Sequence, residues 1–214
     1  LRAAKFSTST SSNTKAQDPT NMTTSTKESR RDLIHFFAER FQKLNGVVET
    51  ASTPEEAAKK SADMIVSNGG RSVFKLKLFS EIDHQVSTAL SSKRLTVVDE
   101  ASDNPLEVLS SVDAGLSTAV AAIAETGTLV EVAYDDLDRL LSSLPRVHVV
   151  FVKSSTIVER VSDAAGILRS AMEKAKTCTV SFISGPSRSG DIEQRLVVGV
   201  HGPHAVAAVV LEWL

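Results

Sequence analysis

Cysteine is nearly missing from this 214-residue chain, where Cys178 stands alone. A single thiol closes no internal disulfide, and an iron–sulfur cluster generally takes about four cysteines, so the chain by itself supports neither. The run Thr177-Cys178-Thr179-Val180-Ser181-Phe182 alternates in polarity like a strand. That pattern marks Cys178 as buried packing rather than a reactive thiol, in a reducing compartment. An excess of either charge is missing too: 24 Lys and Arg stand against 26 Asp and Glu, for a net charge of -2. A general nucleic-acid binder would carry a basic face, so that class is disfavoured. Nor is there an apolar run near the roughly 20 residues that cross a bilayer as a helix.

Acidic residues are absent from the first 17 positions, where Arg2, Lys5 and Lys15 precede Asp18 amid a Ser- and Thr-rich stretch. This is the composition of a mitochondrial transit peptide or its remnant, with a cytoplasmic protein as the alternative. Residues 1–28 are therefore expected to form a flexible tail that contacts other proteins rather than its own domain. Residues 29–214, in a chain with 42% hydrophobic content, are enough for one α/β domain with a sizeable core.

The body is clearly punctuated. Ser29-Arg30-Arg31-Asp32 has capping-box spacing, and Leu33, Phe37, Phe41 and Leu44 follow at helical intervals until Asn45-Gly46. Thr53-Pro54-Glu55-Glu56 offers an N-cap, a proline at the first helical position and a glutamate three residues after the cap. That second helix places Ala58, Ala62 and Ile65 on one face and stops at Asn68-Gly69-Gly70. Strands are expected at 73–78, 95–98, 119–124, 128–133, 147–152, 178–183 and 205–211, and helices at 81–90, 136–142 and 157–175. Short apolar strands alternating with helices predict a three-layer α/β fold whose mainly parallel sheet is covered on both faces.

Ligands of open α/β sheets bind beyond the carboxyl ends of strands. Three loops after strands combine glycine with polar residues: Glu125-Thr126-Gly127-Thr128, residues 184–191, and Gly199-Val200-His201-Gly202-Pro203. Gly185 and Gly190 have phosphate-loop spacing, but Asp191-Ile192 stand where a lysine and a hydroxyl residue should follow. Ser187 misses the nucleophile-elbow pattern because Ser189 replaces its second glycine, and a Ser187–His201–Asp191 triad rests on residue types alone. What survives is a turn of Gly185, Pro186, Ser187 and Arg188, whose N–H groups and guanidinium suit a small carboxylate or other anion. Thr126, Gly127, Thr128 and His201 are expected to share that site, although Arg188 would equally hold its own turn by pairing with Asp191 or Glu193. Glu125, at a tight turn between two buried strands, is the candidate acid or base, unless it accepts N–H bonds within its turn. Pro203 between His201 and His204 opposes a helical metal pair, and no acid–histidine cluster has metal-ligand spacing. With no dinucleotide fingerprint either, the chain is expected to hold no cofactor and to have no redox activity of its own.

Three ordered motifs carry a resemblance. They are Ala124-Glu125-Thr126-Gly127-Thr128; Leu144-Pro145-Arg146-Val147-His148; and Ser184-Gly185-Pro186-Ser187-Arg188 with Asp191-Ile192-Glu193 and Gly199-Val200-His201-Gly202-Pro203. Together they resemble the lactate-utilisation (LUD-domain) family, in its protein C branch. The resemblance implies a fold like that of ribose-5-phosphate isomerase, glucosamine-6-phosphate deaminase and CoA transferases. It also implies a non-redox role in oxidising L-lactate to pyruvate beside iron–sulfur partner proteins. Ser189-Gly190 stand where the family usually has threonine-alanine, and Val120 where aspartate is common. These departures leave open a second role, that of a non-catalytic accessory subunit in a multi-protein mitochondrial assembly.

Overall fold

The computed structural model describes residues 19–99, 104–175, 177–192, 195–198 and 202–214. Residues 1–18, which carry most of the transit-like composition, and His201 lie outside them. The first helix, α1 (Pro19–Lys43), begins within the segment read as a tail and buries Phe37 and Phe41 completely. Their rings stack with centroids 5.4 Å apart, one turn after another on a single face. After β1 (Val47–Ala51), α2 (Pro54–Ser67) starts where the cap predicts, with Thr53 Oγ1 accepting the Glu56 N–H at 3.2 Å.

The chain continues through β2 (Ser72–Lys75), α3 (Asp83–Ser92), β3 (Thr96–Asp99), α4 (Pro105–Leu109) and β4 (Ala114–Thr118). A hairpin follows, β5 (Ala121–Ile123) and β6 (Thr128–Ala133), then α5 (Asp136–Leu141), β7 (Val147–Lys153) and β8 (Ile157–Val158). The last elements are α6 (Ala165–Met172), β9 (Thr179–Ile183), β10 (Arg188–Ile192), β11 (Arg195–Val198) and β12 (Ala205–Leu211).

The large sheet has the order β1-β12-β7-β4-β2-β3 with every neighbouring pair parallel. Strands buried on both faces need apolar side chains on both, which accounts for the near-continuous Val-rich runs of β7 and β12. On one face α2 and α3 pack Ala58, Ala62, Ile65, Val86 and Leu90 against Val149, Phe151 and Val209. On the other, α1 and a small sheet of order β8-β5-β6-β9 cover β7 and β12, while Leu109 and Leu141 of α4 and α5 cover Phe74. The expected three-layer arrangement is therefore present, and α6 closes the outer side of the small sheet with Ile167 and Leu168 near Val130.

Some boundaries differ from expectation for identifiable reasons. Residues 157–175 do not form one helix: Ile157 and Val158 are β-branched and pair in parallel with Ala122 and Ile123. The Asp163 carboxylate then accepts the Arg160 N–H at 3.0 Å and starts a new helical turn. The expected strand 119–124 breaks where the chain changes sheets, with Ala119 N–H donating to Phe151 O and Val120 N–H to Val130 O. Cys178 is half-buried rather than part of the core.

Candidate functional site

Because all six strands of the large sheet run the same way, their carboxyl ends share one edge. Gly115 pairs with His148 and Ser117 with Val150, so Ser117 and His148 lie on the same face of adjacent strands. That face lies beneath β6, whose Leu129 packs down onto Val150 and Val206; Glu131, two residues on, points the same way. The result is a buried polar trio between the two sheets. Ser117 Oγ lies 2.5 Å from Glu131 Oε1 and 2.8 Å from His148 Nε2, while His148 Nε2 and Glu131 Oε1 are 3.5 Å apart.

Glu131 is 7% exposed and His148 completely buried. Burial pushes the Glu131 carboxyl up to about 7, a rise that the Ser117 hydrogen bond opposes and the like charge of Asp138 reinforces. The same burial holds the His148 imidazole down at about 3, so its ring is neutral at ordinary pH. Among the described residues no three His, Cys, Asp or Glu side chains group as metal ligands.

The trio opens onto a cavity of about 390 Å³ lined by Ser117, Thr118 and Glu131, by Leu76 and Lys77 beyond β2, and by Tyr134, Asp135 and Asp138 around α5. Leu76 and Lys77 also line a neighbouring hollow of about 670 Å³ over the ends of β2 and β3. There Lys75 Nζ donates to Asp83 Oδ1 at 2.7 Å. Thr118, Val132 and Tyr134 are shared with a third hollow of about 540 Å³ that reaches Lys153 at the end of β7. Lys153 Nζ stands 4.6 Å above the Phe79 ring and 3.4 Å from Glu81 Oε1. Three hollows with shared lining residues thus lie along the carboxyl edge, and the buried acid lines the one that shares residues with both others.

The glycine loops singled out by sequence gather elsewhere. Thr126, Thr128 and Ser184 form a hydroxyl chain, with Oγ1–Oγ1 at 2.7 Å and Oγ1–Oγ at 2.8 Å. Gly127, at φ 60°, is so close to α1 that a Cβ there would lie 2.5 Å from Phe41 N. Gly185, at φ 92°, would bring a Cβ to 2.4 Å from Leu44 O. Both glycines therefore seat the end of α1, and only glycine suits the backbone there. Pro186 is buried, Ser187 N–H donates to Pro203 O at 3.1 Å, and Arg188 opens β10 with an exposed side chain. Glu125 is exposed and accepts the Val161 N–H at 3.0 Å, a bond to a neighbouring turn rather than its own. Thr128 and Glu131 are three residues apart on β6, roughly 10 Å along a strand, so loop cluster and buried acid are separate places.

Ser117 and Glu131 were missed by motif reading, and His148 entered only within a family motif with no site role, yet a signal existed. A lone carboxylate in Thr128-Leu129-Val130-Glu131-Val132-Ala133 and a lone imidazole in an apolar strand each put a titratable group where water is excluded.

Residues 34–211 match the LUD domain family. The chain belongs to that family. Over 106 residues it is 40% identical to Lactate utilization protein C of Anoxybacillus flavithermus, a match covering 50% of this chain and 47% of the relative. Over 99 residues it is 37% identical to Lactate utilization protein C of Bacillus subtilis, covering 45% of this chain and 41% of the relative. The chain thus spans about half the length of the curated relatives it matches. Its fold is similar to the crystal structure of a DUF162 family protein from Deinococcus radiodurans, with TM-score 0.58 and 20% identity. That likeness covers 86% of this chain and 98% of the other. No helix among the described residues is long and apolar enough to cross a membrane.

Proposed function

We propose that this LUD domain is a component of a lactate-utilisation system and binds a small carboxylate or similar anion in the cavity at the carboxyl edge. Its relatives are named for lactate utilisation, and the observation that carries the site is the Ser117–Glu131–His148 trio opening onto a cavity of about 390 Å³. That volume is at the small end of ligand pockets, which run from roughly 300 to 1,000 Å³. In this reading electrons travel through iron–sulfur partner proteins, and the LUD chain holds or presents the organic acid. Thr126, Gly127, Thr128 and the turn from Gly185 to Arg188 then serve to seat α1.

Thermal-shift measurements with L-lactate, pyruvate, phosphate and CoA test the proposal. A ligand at 100 times its dissociation constant adds about 2.7 kcal/mol of stability. A melting temperature unmoved by all four refutes it. One observation favours the second reading, an accessory subunit of a mitochondrial assembly: Gly127 and Gly185, in the loops expected to hold a ligand, pack closely against the end of α1. That reading predicts no response to any of the four compounds and a heteromeric native mass after purification from mitochondria.

A further inference from the structure

The charge state of Glu131 follows from the histidine beside it. His148 is fully buried, its Nε2 lies 2.8 Å from Ser117 Oγ, and among the described residues its Nδ1 has no hydrogen-bond partner. An imidazolium has two N–H groups to satisfy, and the second would point at no acceptor in an apolar interior, so the ring is neutral. Of the two neutral tautomers, one leaves a bare lone pair at Nδ1 and the other an orphaned N–H. Orphaned buried N–H groups are the rarer kind, which puts the proton on Nε2, where it is donated to Ser117 Oγ. The Ser117 hydroxyl then gives its own proton to Glu131 Oε1. Hydrogen bonds thus run one way, from His148 through Ser117 to Glu131.

With His148 neutral, no described residue places a cation within ion-pair distance of Glu131. Among the described residues its only basic neighbour within ion-pair distance is that imidazole, 3.5 Å away. Asp138 faces it from α5 with like charge, and Asp135, Tyr134 and Lys77 line the same cavity. A buried carboxylate in such surroundings is costly, and taking up a proton removes the cost.

We infer that Glu131 meets its ligand as a neutral acid: with Oε1 occupied by Ser117, Oε2 carries the proton and donates it as a hydrogen bond to a carboxylate oxygen of a small monocarboxylate. This rests on the anion site proposed above and specifies its recognition chemistry. The proton is shared in a hydrogen bond and no covalent bond changes. Once Glu131 ionises, the same position presents negative charge to an anion, so affinity falls as pH rises through about 7.

Two measurements test this on the full chain. In the first, wild type and Glu131→Gln are titrated with sodium pyruvate and sodium L-lactate from pH 5.5 to 8.5. Wild-type Kd should be flat at the acid end and rise about tenfold per pH unit beyond the Glu131 transition. Glu131→Gln, whose amide is a donor at every pH, should bind without that rise. In the second, ligand-free infrared difference spectra follow the protonated carboxyl C=O stretch of wild type, which needs no variant to fold. A band that titrates near neutrality supports the inference, and a carboxyl already ionised at pH 5.5 overturns it. Wild-type affinity that ignores pH refutes the neutral-acid role alone, and so does a pH dependence that Glu131→Gln shares. Failure of both probes to bind at any pH refutes the proposed anion site and this inference together.

Discussion

Replacing Glu131 by Gln should change how stability depends on pH more than it changes stability itself. In the native state burial lifts this carboxyl from 4.5 to about 7. Between those values the folded protein holds a proton that the unfolded chain has released, so Glu131 makes stability fall as pH rises. The full effect, for a group 7% exposed, is about 3 kcal/mol, complete above pH 7. His148 works in the opposite sense. Its imidazole drops from 6.5 to about 3, so the unfolded chain binds a proton the native state refuses, and stability falls as pH drops through that range. From pH 4.5 to 6.5 the two slopes offset, and wild type should look nearly indifferent to pH in that window as far as these groups are concerned. Glu131→Gln removes one slope and exposes the other. The variant's stability should rise with pH across the window, and its advantage over wild type should grow by about 3 kcal/mol between pH 4.5 and pH 8. Urea unfolding followed by circular dichroism at several pH values measures this, with slopes compared to confirm a common unfolded state. A difference between variant and wild type that stays constant with pH would refute the buried carboxyl with a raised pKa.

Three other substitutions probe the frame around the site. Gly127→Ala forces a Cβ to 2.5 Å from the Phe41 nitrogen at φ 60° and should lower urea-unfolding stability by about 2 kcal/mol or more. Phe37→Ala empties a fully buried position under the small sheet, with an expected loss of about 3–5 kcal/mol in the same assay. Thr53→Ala removes the acceptor at the start of α2 and should cost about 1 kcal/mol, visible as a small fall in melting temperature.

Much of the fold could be read from side-chain periodicity. Phe37 and Phe41, the Thr53-Pro54 start and the Val-rich strands β7 and β12 announce themselves because burial demands one spacing or one residue type. The strands β1 and β4 do not. Ala114-Gly115-Leu116-Ser117-Thr118 is buried over most of its length but offers small and polar residues, since Gly115 must clear Leu141 and Ser117 must bond Glu131. The helix expected at 157–175 failed because apolar spacing near Ile157 and Val158 cannot tell a short strand beside β5 from a helical face. The candidate site was hidden for a related reason. Glycine loops advertise themselves by residue type, whereas Ser117, Glu131 and His148 come from three strands and meet only when the small sheet lies on the large one.

The order of the large sheet bears on synthesis. β12 lies between β1 and β7 and, among the described residues, is the only strand paired with β1. Residues 205–211 leave the ribosome after every other strand described, so β1 waits through the synthesis of all of those strands without its neighbour. Until then the open edge of β7 offers unpaired backbone beside Val149, Val150 and Val152, the kind of surface that recruits foreign strands. A stalled or truncated nascent chain lacking residues 205–211 is left with a split sheet, and its hazard is aggregation rather than a merely weakened fold.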